Sequence, residues 1–168
     1  VKETQDEFYE RHALVLDTAA PDGENACFEE AVSVAASFVY AVDTSESLLD
    51  LLFVGEAVHG YTAGRGQLQT AQMLEVLAAV RASRREAFRQ LARAALGRRG
   101  ELSSVIVVLL AWNEERRAFV RALAASGTEV RTLLVCEERD APADAAADGF
   151  VPHVLHPGRI EAGLATLR

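Results

Sequence analysis

Lysine is almost absent from this chain, because 16 of its 17 basic residues are arginine and Lys2 is the one exception. A phosphate-accepting receiver domain needs a lysine at the end of a late strand, where its ammonium group holds the phosphoryl oxygens. Lys2 stands at the wrong end of the sequence for that position, and no acidic pair occupies the right place before Asp17. The sequence therefore argues against the receiver-domain class.

Cysteine is equally scarce, and long apolar runs are absent. Cys27 and Cys136 are the only cysteines and stand in no Cys-x-x-Cys or Cys/His spacing, so we predict neither a structural zinc site nor a disulfide framework. Cys27 stays a candidate for a reactive thiol, because it lies near a predicted helix start. No apolar run has the roughly 18 residues of a membrane span, and no signal peptide is recognisable.

Basic residues are also in deficit. The 25 acidic and 17 basic residues give a net charge of -8. A nucleic-acid partner needs a basic surface for its phosphates, so the composition argues against one. The length of 168 residues and the 50% hydrophobic content predict a single domain, residues 1–168, with one full core.

Strand-like and helix-like segments alternate along the chain. This alternation predicts βαβ units and a parallel sheet covered on both faces. Residues 57–62 alternate in polarity around Gly60 and are predicted to form an antiparallel edge strand beside the second strand. The fold class is therefore α/β, with a doubly wound, mostly parallel sheet. The predicted strands are residues 12–17, 48–54, 57–62, 105–111, 130–136 and 150–155, and the predicted helices are residues 28–42, 68–82, 84–96, 114–125 and 159–167.

Asp17 ends the first strand, and ligands of open α/β sheets bind outside the carboxyl ends of strands. A haloacid-dehalogenase-type nucleophile would need a second Asp at position 19, which is Ala. Gly64-Arg65-Gly66 resembles the start of a dinucleotide fingerprint, but position 69 is Gln and the loop follows the edge strand. An alternative function stays open, a Rossmann-like nucleotide- or metal-binding enzyme that uses Asp17 and the loop 64–66.

An arginine-rich segment reverses the overall sign of charge. Residues 81–99 contain seven Arg and one Glu. Arg85, Arg89 and Arg93 have i, i+4, i+8 spacing, which predicts one helix face. Such a face could contact an acidic surface of a partner protein, or it could simply be solvated. A third alternative is a purely structural domain whose arginine helix packs against a missing part of a longer protein.

Several segments of residues 1–136 share a family pattern: Lys2–Glu3, Ala13–Thr18, Phe28–Ser37, Gly64–Gly66, Met73–Ala78 and Ala111–Trp112. Together they resemble the bacterial family called domain of unknown function 58, which carries a von Willebrand factor A-like domain. The resemblance implies a Rossmann-type three-layer α/β/α fold and a binding module that is not an enzyme. It also implies a cytoplasmic domain whose parent protein is anchored in the inner membrane, and a MoxR-type AAA+ ATPase as the protein partner. Because the sequence begins with Val1, we expect it to be part of a longer protein.

Domains of this type often hold a divalent metal through Asp-x-Ser-x-Ser, a Thr and a second Asp. Asp17 matches the first position, whereas Ala19 and Pro21 replace the two serines, Thr70 is only a loose match for the Thr, and Asn113 replaces the second Asp. Too few hard oxygen ligands and too little negative charge remain for Mg²⁺. We therefore predict a degenerate, metal-free adhesion site without a cofactor.

The carboxyl edge of the sheet is the predicted contact surface for a protein partner. Asp17 itself is expected to accept hydrogen bonds from backbone N–H groups or from Thr18. The oligomeric state stays open. The predicted partner-binding residues are Asp17, Thr18, Gly64, Arg65, Asn113, Arg85, Arg89 and Arg93.

Overall fold

A computed structural model of the protein describes residues 10–20, 22–42, 47–55, 57–63, 67–143 and 149–167. Strands and helices alternate through these ranges. The strands are β1 (Glu10–Leu16), β2 (Ser47–Val54), β3 (Val58–Ala63), β4 (Ser104–Leu109), β5 (Glu129–Val135) and β6 (His153–Leu155). The helices are α1 (Ala26–Ala41), α2 (Gln67–Ala78), α3 (Ala87–Arg98), α4 (Glu114–Ala124) and α5 (Ile160–Ala165).

The strands form one six-stranded sheet in the order β3-β2-β1-β4-β5-β6. All neighbours pair in parallel except β2 and β3, which are antiparallel with Phe53 opposite His59. The predicted fold class is confirmed, including the antiparallel edge strand. Strand order reverses between β1 and β4, so their carboxyl ends flank the crevice where open α/β sheets bind ligands.

Two apolar clusters cover the two faces of the sheet. Alternate residues of β1 face opposite ways: Leu14 and Leu16 pack with α1 and α2, and Ala13 and Val15 pack with α3 and α4. Helix α5 adds partly buried residues to the first cluster. This is the three-layer α/β/α arrangement expected from strands that are apolar on both faces.

The connection between α2 and α3 differs from the prediction of two nearly continuous helices. Helix α2 ends at Ala78 and α3 begins at Ala87. Between them, Ser83 forms an isolated parallel bridge with Ala19, and its backbone N–H donates to the Thr18 carbonyl at 2.7 Å. This segment hydrogen-bonds to the chain just after β1 and is not helical. The periodicity of the sequence therefore places the end of α2 too late and the start of α3 too early.

The remaining boundaries lie close to the prediction. Asn25 caps α1 by accepting the Phe28 N–H at 3.0 Å. Gly127, in the turn that follows α4, has a φ of 82°, a conformation that favours glycine. Pro152 precedes β6 instead of interrupting it. In the ranges that the structure describes, no helix is long and apolar enough to cross a membrane.

Candidate functional site

The crevice between β1 and β4 contains Asp17. The Asp17 N–H donates to the Val108 carbonyl at 2.8 Å and so extends the ladder between these strands by one residue. Its side chain has no solvent exposure (0%). The apolar strand thus delivers a carboxylate into the interior, where it needs hydrogen-bond donors.

Three donors converge on the Asp17 carboxylate. Oδ1 accepts the Ala19 N–H at 3.0 Å, and Oδ2 accepts the Leu110 N–H at 3.2 Å. Oδ2 also accepts a hydrogen bond from Nε of Arg116 at 2.8 Å. The two backbone donors are of the kind predicted for Asp17, whereas the Thr18 hydroxyl bonds elsewhere. The positive charge of Arg116 neutralises the carboxylate inside the protein.

Arg116 comes from the first turn of α4 and is itself buried, with 3% of its side chain exposed. Its guanidinium carbon lies 4.3 Å from the centre of the Phe88 ring. Phe88 in turn meets Phe119 edge to face, with ring centres 5.6 Å apart. The ion pair is therefore held in place by aromatic packing between α3 and α4 as well as by charge.

Asn113 ends the loop after β4 and caps α4. Its Oδ1 accepts the Arg116 N–H at 3.1 Å. The sequence places Asn113 where a metal-binding Asp would be expected, but its side-chain oxygen serves the helix terminus. The same cap fixes the helix turn from which Arg116 reaches Asp17.

Thr18 joins three segments next to the ion pair. Its hydroxyl donates to the Val54 carbonyl at 2.6 Å and lies 2.8 Å from the Ser83 hydroxyl. Because the Thr18 proton is used on Val54, Ser83 is the donor in the second bond. Ser83, and not Thr70, is therefore the hydroxyl residue that bonds Thr18. Thr70 lies in α2 and, within the described ranges, has no hydrogen bond to Asp17 or Thr18.

The structure changes the interpretation of the predicted contact surface. Asp17 and Thr18 are 0% and 1% exposed and cannot touch a partner through their side chains. Ala19 is buried too, whereas Asn113 is exposed. Pro21 and the loop 64–66, including Gly64 and Arg65, lie outside the described residues.

The three predicted partner-binding arginines do not form one helix stripe. Arg85 lies in the turn before α3, and only Arg89 and Arg93 are on the helix. Arg89 pairs with Glu115 of α4 at 3.3 Å. Arg85 and Arg93 are exposed and form no ion pair with any residue in the described part of the chain.

A second buried carboxylate, Asp50, lies in β2 and was not singled out from the sequence. Its carboxylate accepts three hydrogen bonds from side chains. The donors are Nε of Arg11 at 2.9 Å, Nη1 of Arg98 at 3.3 Å and the Thr62 hydroxyl at 2.6 Å. The hydrogen bond with Asp50 raises the pKa of Arg11. A Cβ on Gly60 would lie 3.0 Å from Nη2 of Arg98, so the glycine in β3 gives that guanidinium room to reach Asp50.

The two thiols are not activated. Burial raises the pKa of Cys136 to about 11, and burial also raises the pKa of Cys27. A thiol reacts as its thiolate, so the raised pKa of Cys27 argues against its candidate role as a low-pKa nucleophile. Among the residues that the structure describes, no three His, Cys, Asp or Glu side chains are placed to hold a metal ion.

Solved structures share this fold. One of them, the crystal structure of the human COPII-coat protein Sec24c, has a TM-score of 0.51 to this chain at 9% sequence identity. The likeness covers 88% of this chain and 29% of that chain. The fold is von Willebrand factor A-like. No family model and no curated protein sequence matches the chain.

Proposed function

We propose that this domain binds a protein partner without catalysing a reaction, and that its adhesion site works without a metal. The observation that carries the proposal is the buried ion pair between Asp17 and Arg116. An adhesion site of the metal-binding kind needs an exposed cation held by several oxygen ligands. Here the carboxylate that would hold the cation is already neutralised by a side chain of the same protein.

The other positions support the same conclusion. Ala19 contributes a backbone N–H to Asp17, and a donor repels a cation. The Asn113 oxygen is committed to the cap of α4. A cation at this place would have to displace Arg116 and leave a guanidinium buried without its partner, which is strongly unfavourable.

The enzyme alternative requires Asp17 to reach a substrate. Its carboxylate has no exposure and three donors already bonded to it, which counts against a nucleophile or general base there. A nucleotide-binding enzyme would also gain about 2.7 kcal/mol of stability with a nucleotide at 100 times its Kd. We expect no thermal shift with ATP, GTP or NAD.

We further propose a relationship to the bacterial domain of unknown function 58 family, with a cytoplasmic placement in a parent anchored in the inner membrane and a MoxR-type AAA+ ATPase as partner. The sequence segments that share the family pattern and the von Willebrand factor A-like fold support this proposal. Its test is biolayer interferometry of the purified domain against the purified ATPase. We expect binding with a Kd of about 1 μM that prior EDTA treatment of the domain leaves unchanged. Absence of binding at about 100 μM would contradict the proposed partner.

A further inference from the structure

A groove of about 1020 Å³ lies on the surface of the protein, and its lining includes Val54 and Ser83, the two residues that bond the Thr18 hydroxyl. It is bounded by the carboxyl end of β2, by β3 and by the connection between α2 and α3, and we call it the hairpin groove. Its lining includes Phe53, His59, Tyr61, Val80, Arg81 and Arg84. The volume is at the upper end of small-molecule pockets, about 300–1,000 Å³, and is large enough for several residues of a peptide.

Stacked rings form one wall of the hairpin groove. The ring of Phe53 lies 5.2 Å from that of His59 and 6.1 Å from that of Tyr61, with nearly parallel planes. Tyr61 is 38% exposed, which is unusual for a large side chain on a sheet face that helices otherwise cover. Exposed aromatic rings on a rigid sheet are the side chains that most often carry binding energy in protein interfaces.

Arginines also line the groove. Arg81 is 75% exposed and lies 3.7 Å from Glu24, a distance typical of a weak surface pair. Arg84 is exposed and forms no ion pair with a described residue. Glu86 is the acidic residue of the lining. Residues 81–86 contain three arginines, Arg81, Arg84 and the exposed Arg85, against Glu86. Even with Glu24 beside Arg81, this connection keeps an excess of one positive charge, in a chain of net charge -8.

The framework around the groove is rigid. Ser83 lies between the two arginines in sequence and is tied to β1 through Thr18 and the bridge to Ala19. The aromatic wall is fixed by the pairing of β2 with β3. Both the aromatic wall and the connection between α2 and α3 are therefore held before a ligand arrives, which reduces the entropy lost on binding.

From this arrangement we infer that the hairpin groove binds an acidic segment of a partner protein, with carboxylates on Arg81 and Arg84 and an apolar side chain on the rings of Tyr61 and His59. The inference rests on the proposed function, because it locates the contact of an interaction domain and states the chemistry of its partner. Charge complementarity selects an acidic segment over a neutral one.

The experiment uses fluorescence anisotropy and a short fluorescein-labelled peptide in which Asp and Glu flank a central Leu-Phe pair. A matched peptide carries Asn and Gln in place of Asp and Glu. The groove variant is Arg81→Glu/Arg84→Glu, and Tyr61→Ser tests the aromatic wall. The control variant, Arg139→Glu/Arg159→Glu, makes the same change of net charge at two arginines that are 84% and 73% exposed on another part of the surface. Circular dichroism checks that each variant is folded.

The wild-type chain is expected to bind the acidic peptide, more weakly as salt is raised, and to bind the neutral peptide at least about tenfold more weakly. The groove variant and Tyr61→Ser should each lose about tenfold or more in affinity, and the control variant should stay within about twofold. The inference is overturned by equal binding of the two peptides, by equal losses in groove and control variants, or by no binding of the acidic peptide. Binding of ATP to the wild-type chain but not to the groove variant, without binding of the acidic peptide, would assign the groove to nucleotides and overturn it too.

A parallel measurement with the MoxR-type ATPase separates this inference from the proposed function. If the ATPase binds the wild-type chain and the groove variant equally, the groove assignment fails and the interaction function stands. If the acidic peptide binds in a groove-dependent way and the ATPase does not bind, the groove assignment stands and the proposed partner fails.

Discussion

Nε of Arg116 lies 2.8 Å from Oδ2 of Asp17, although 99 residues separate the two in sequence. Both side chains are buried, with 3% and 0% exposure. The pair joins the end of β1 to the first turn of α4 across the crevice where strand order reverses. The Arg116 guanidinium supplies the positive charge beside the Asp17 carboxylate and fills the space next to it.

Removing one member of this pair should be strongly destabilising. Arg116→Met leaves the Asp17 carboxylate buried with two backbone donors and no counter-charge, and we expect a loss of about 3–5 kcal/mol in the free energy of unfolding. Urea denaturation measures it. Arg93→Met, at an exposed position of α3, is the control and should cost no more than about 0.5 kcal/mol.

The double variant Asp17→Leu/Arg116→Met tests whether charge or shape is needed at the pair. An apolar pair of similar volume is often as stable as a buried ion pair. We expect the double variant to recover most of the stability that Arg116→Met loses. Equal losses of unfolding free energy in the single and the double variant would give a different result. They would show that the hydrogen bonds from the Ala19 and Leu110 N–H groups to Asp17 contribute more to stability than the pairing of the buried charges.

Asn113 should behave as a helix cap. Asn113→Ala removes the acceptor for the Arg116 N–H and is expected to cost about 1 kcal/mol in urea denaturation. Asn25→Ala removes the corresponding cap of α1 and is the matched control, with a similar expected loss. A loss at Asn113 that appeared only in the presence of Mg²⁺ would instead identify it as a metal ligand.

Asp50 should stabilise the edge of the sheet. Asp50→Asn removes the negative charge between Arg11 and Arg98, and we expect a loss of about 2–3 kcal/mol because both hydrogen bonds are charge-assisted. Glu101 also pairs with Arg11, but its side chain is 65% exposed. Glu101→Gln, which removes the negative charge there, should therefore change the free energy of unfolding by less than about 1 kcal/mol. Equal effects of the two substitutions would contradict the importance of the buried carboxylate.

The thiols should be slow to react. With its pKa at about 11, Cys136 is only ~0.1% thiolate at pH 8, against roughly a quarter for an ordinary cysteine. Alkylation by iodoacetamide, followed by mass spectrometry, should therefore label a denatured control far faster than the folded chain. Fast labelling of Cys136 in the folded chain would contradict its burial.

The same raised pKa makes stability depend on pH in a defined direction. The unfolded chain loses the Cys136 proton at the ordinary thiol value, whereas the folded chain holds it up to about pH 11. The contribution of the protonated Cys136 thiol to folding stability is therefore complete below the pKa of the unfolded chain. It is lost as the pH rises from that value through the folded pKa of about 11. Wild-type stability should fall more steeply than that of Cys136→Ala above about pH 8.5.

Much of the fold could be predicted because strands and helices here carry clear periodicity. The apolar run of β4 and the alternation around Gly60 identified a buried strand and an edge strand. The α2–α3 connection could not be predicted, because the bridge between Ser83 and Ala19 depends on tertiary hydrogen bonding that no local pattern shows.

The candidate site shows where sequence reasoning falls short. Asp17 can be identified from the sequence because it ends a strand. Its ion-pair partner, Arg116, was not predicted. A signal existed, since Arg116 shares its helix face with Phe119, Val120 and Leu123, all buried. A charged residue in phase with an apolar stripe indicates a buried ion pair. Which distant carboxylate it meets depends on strand order, and strand order is known only from the assembled sheet.

We propose that Arg116 takes the place of a metal at Asp17, and calorimetric titration with divalent ions tests this proposal. The purified domain, treated with EDTA and then freed of it, is titrated with Mg²⁺ and with Mn²⁺ and compared with Asp17→Ala. We expect no binding of either ion to the wild-type chain, because the Asp17 carboxylate is already paired with Arg116. Binding with a Kd of about 1 μM that is lost in Asp17→Ala would contradict it.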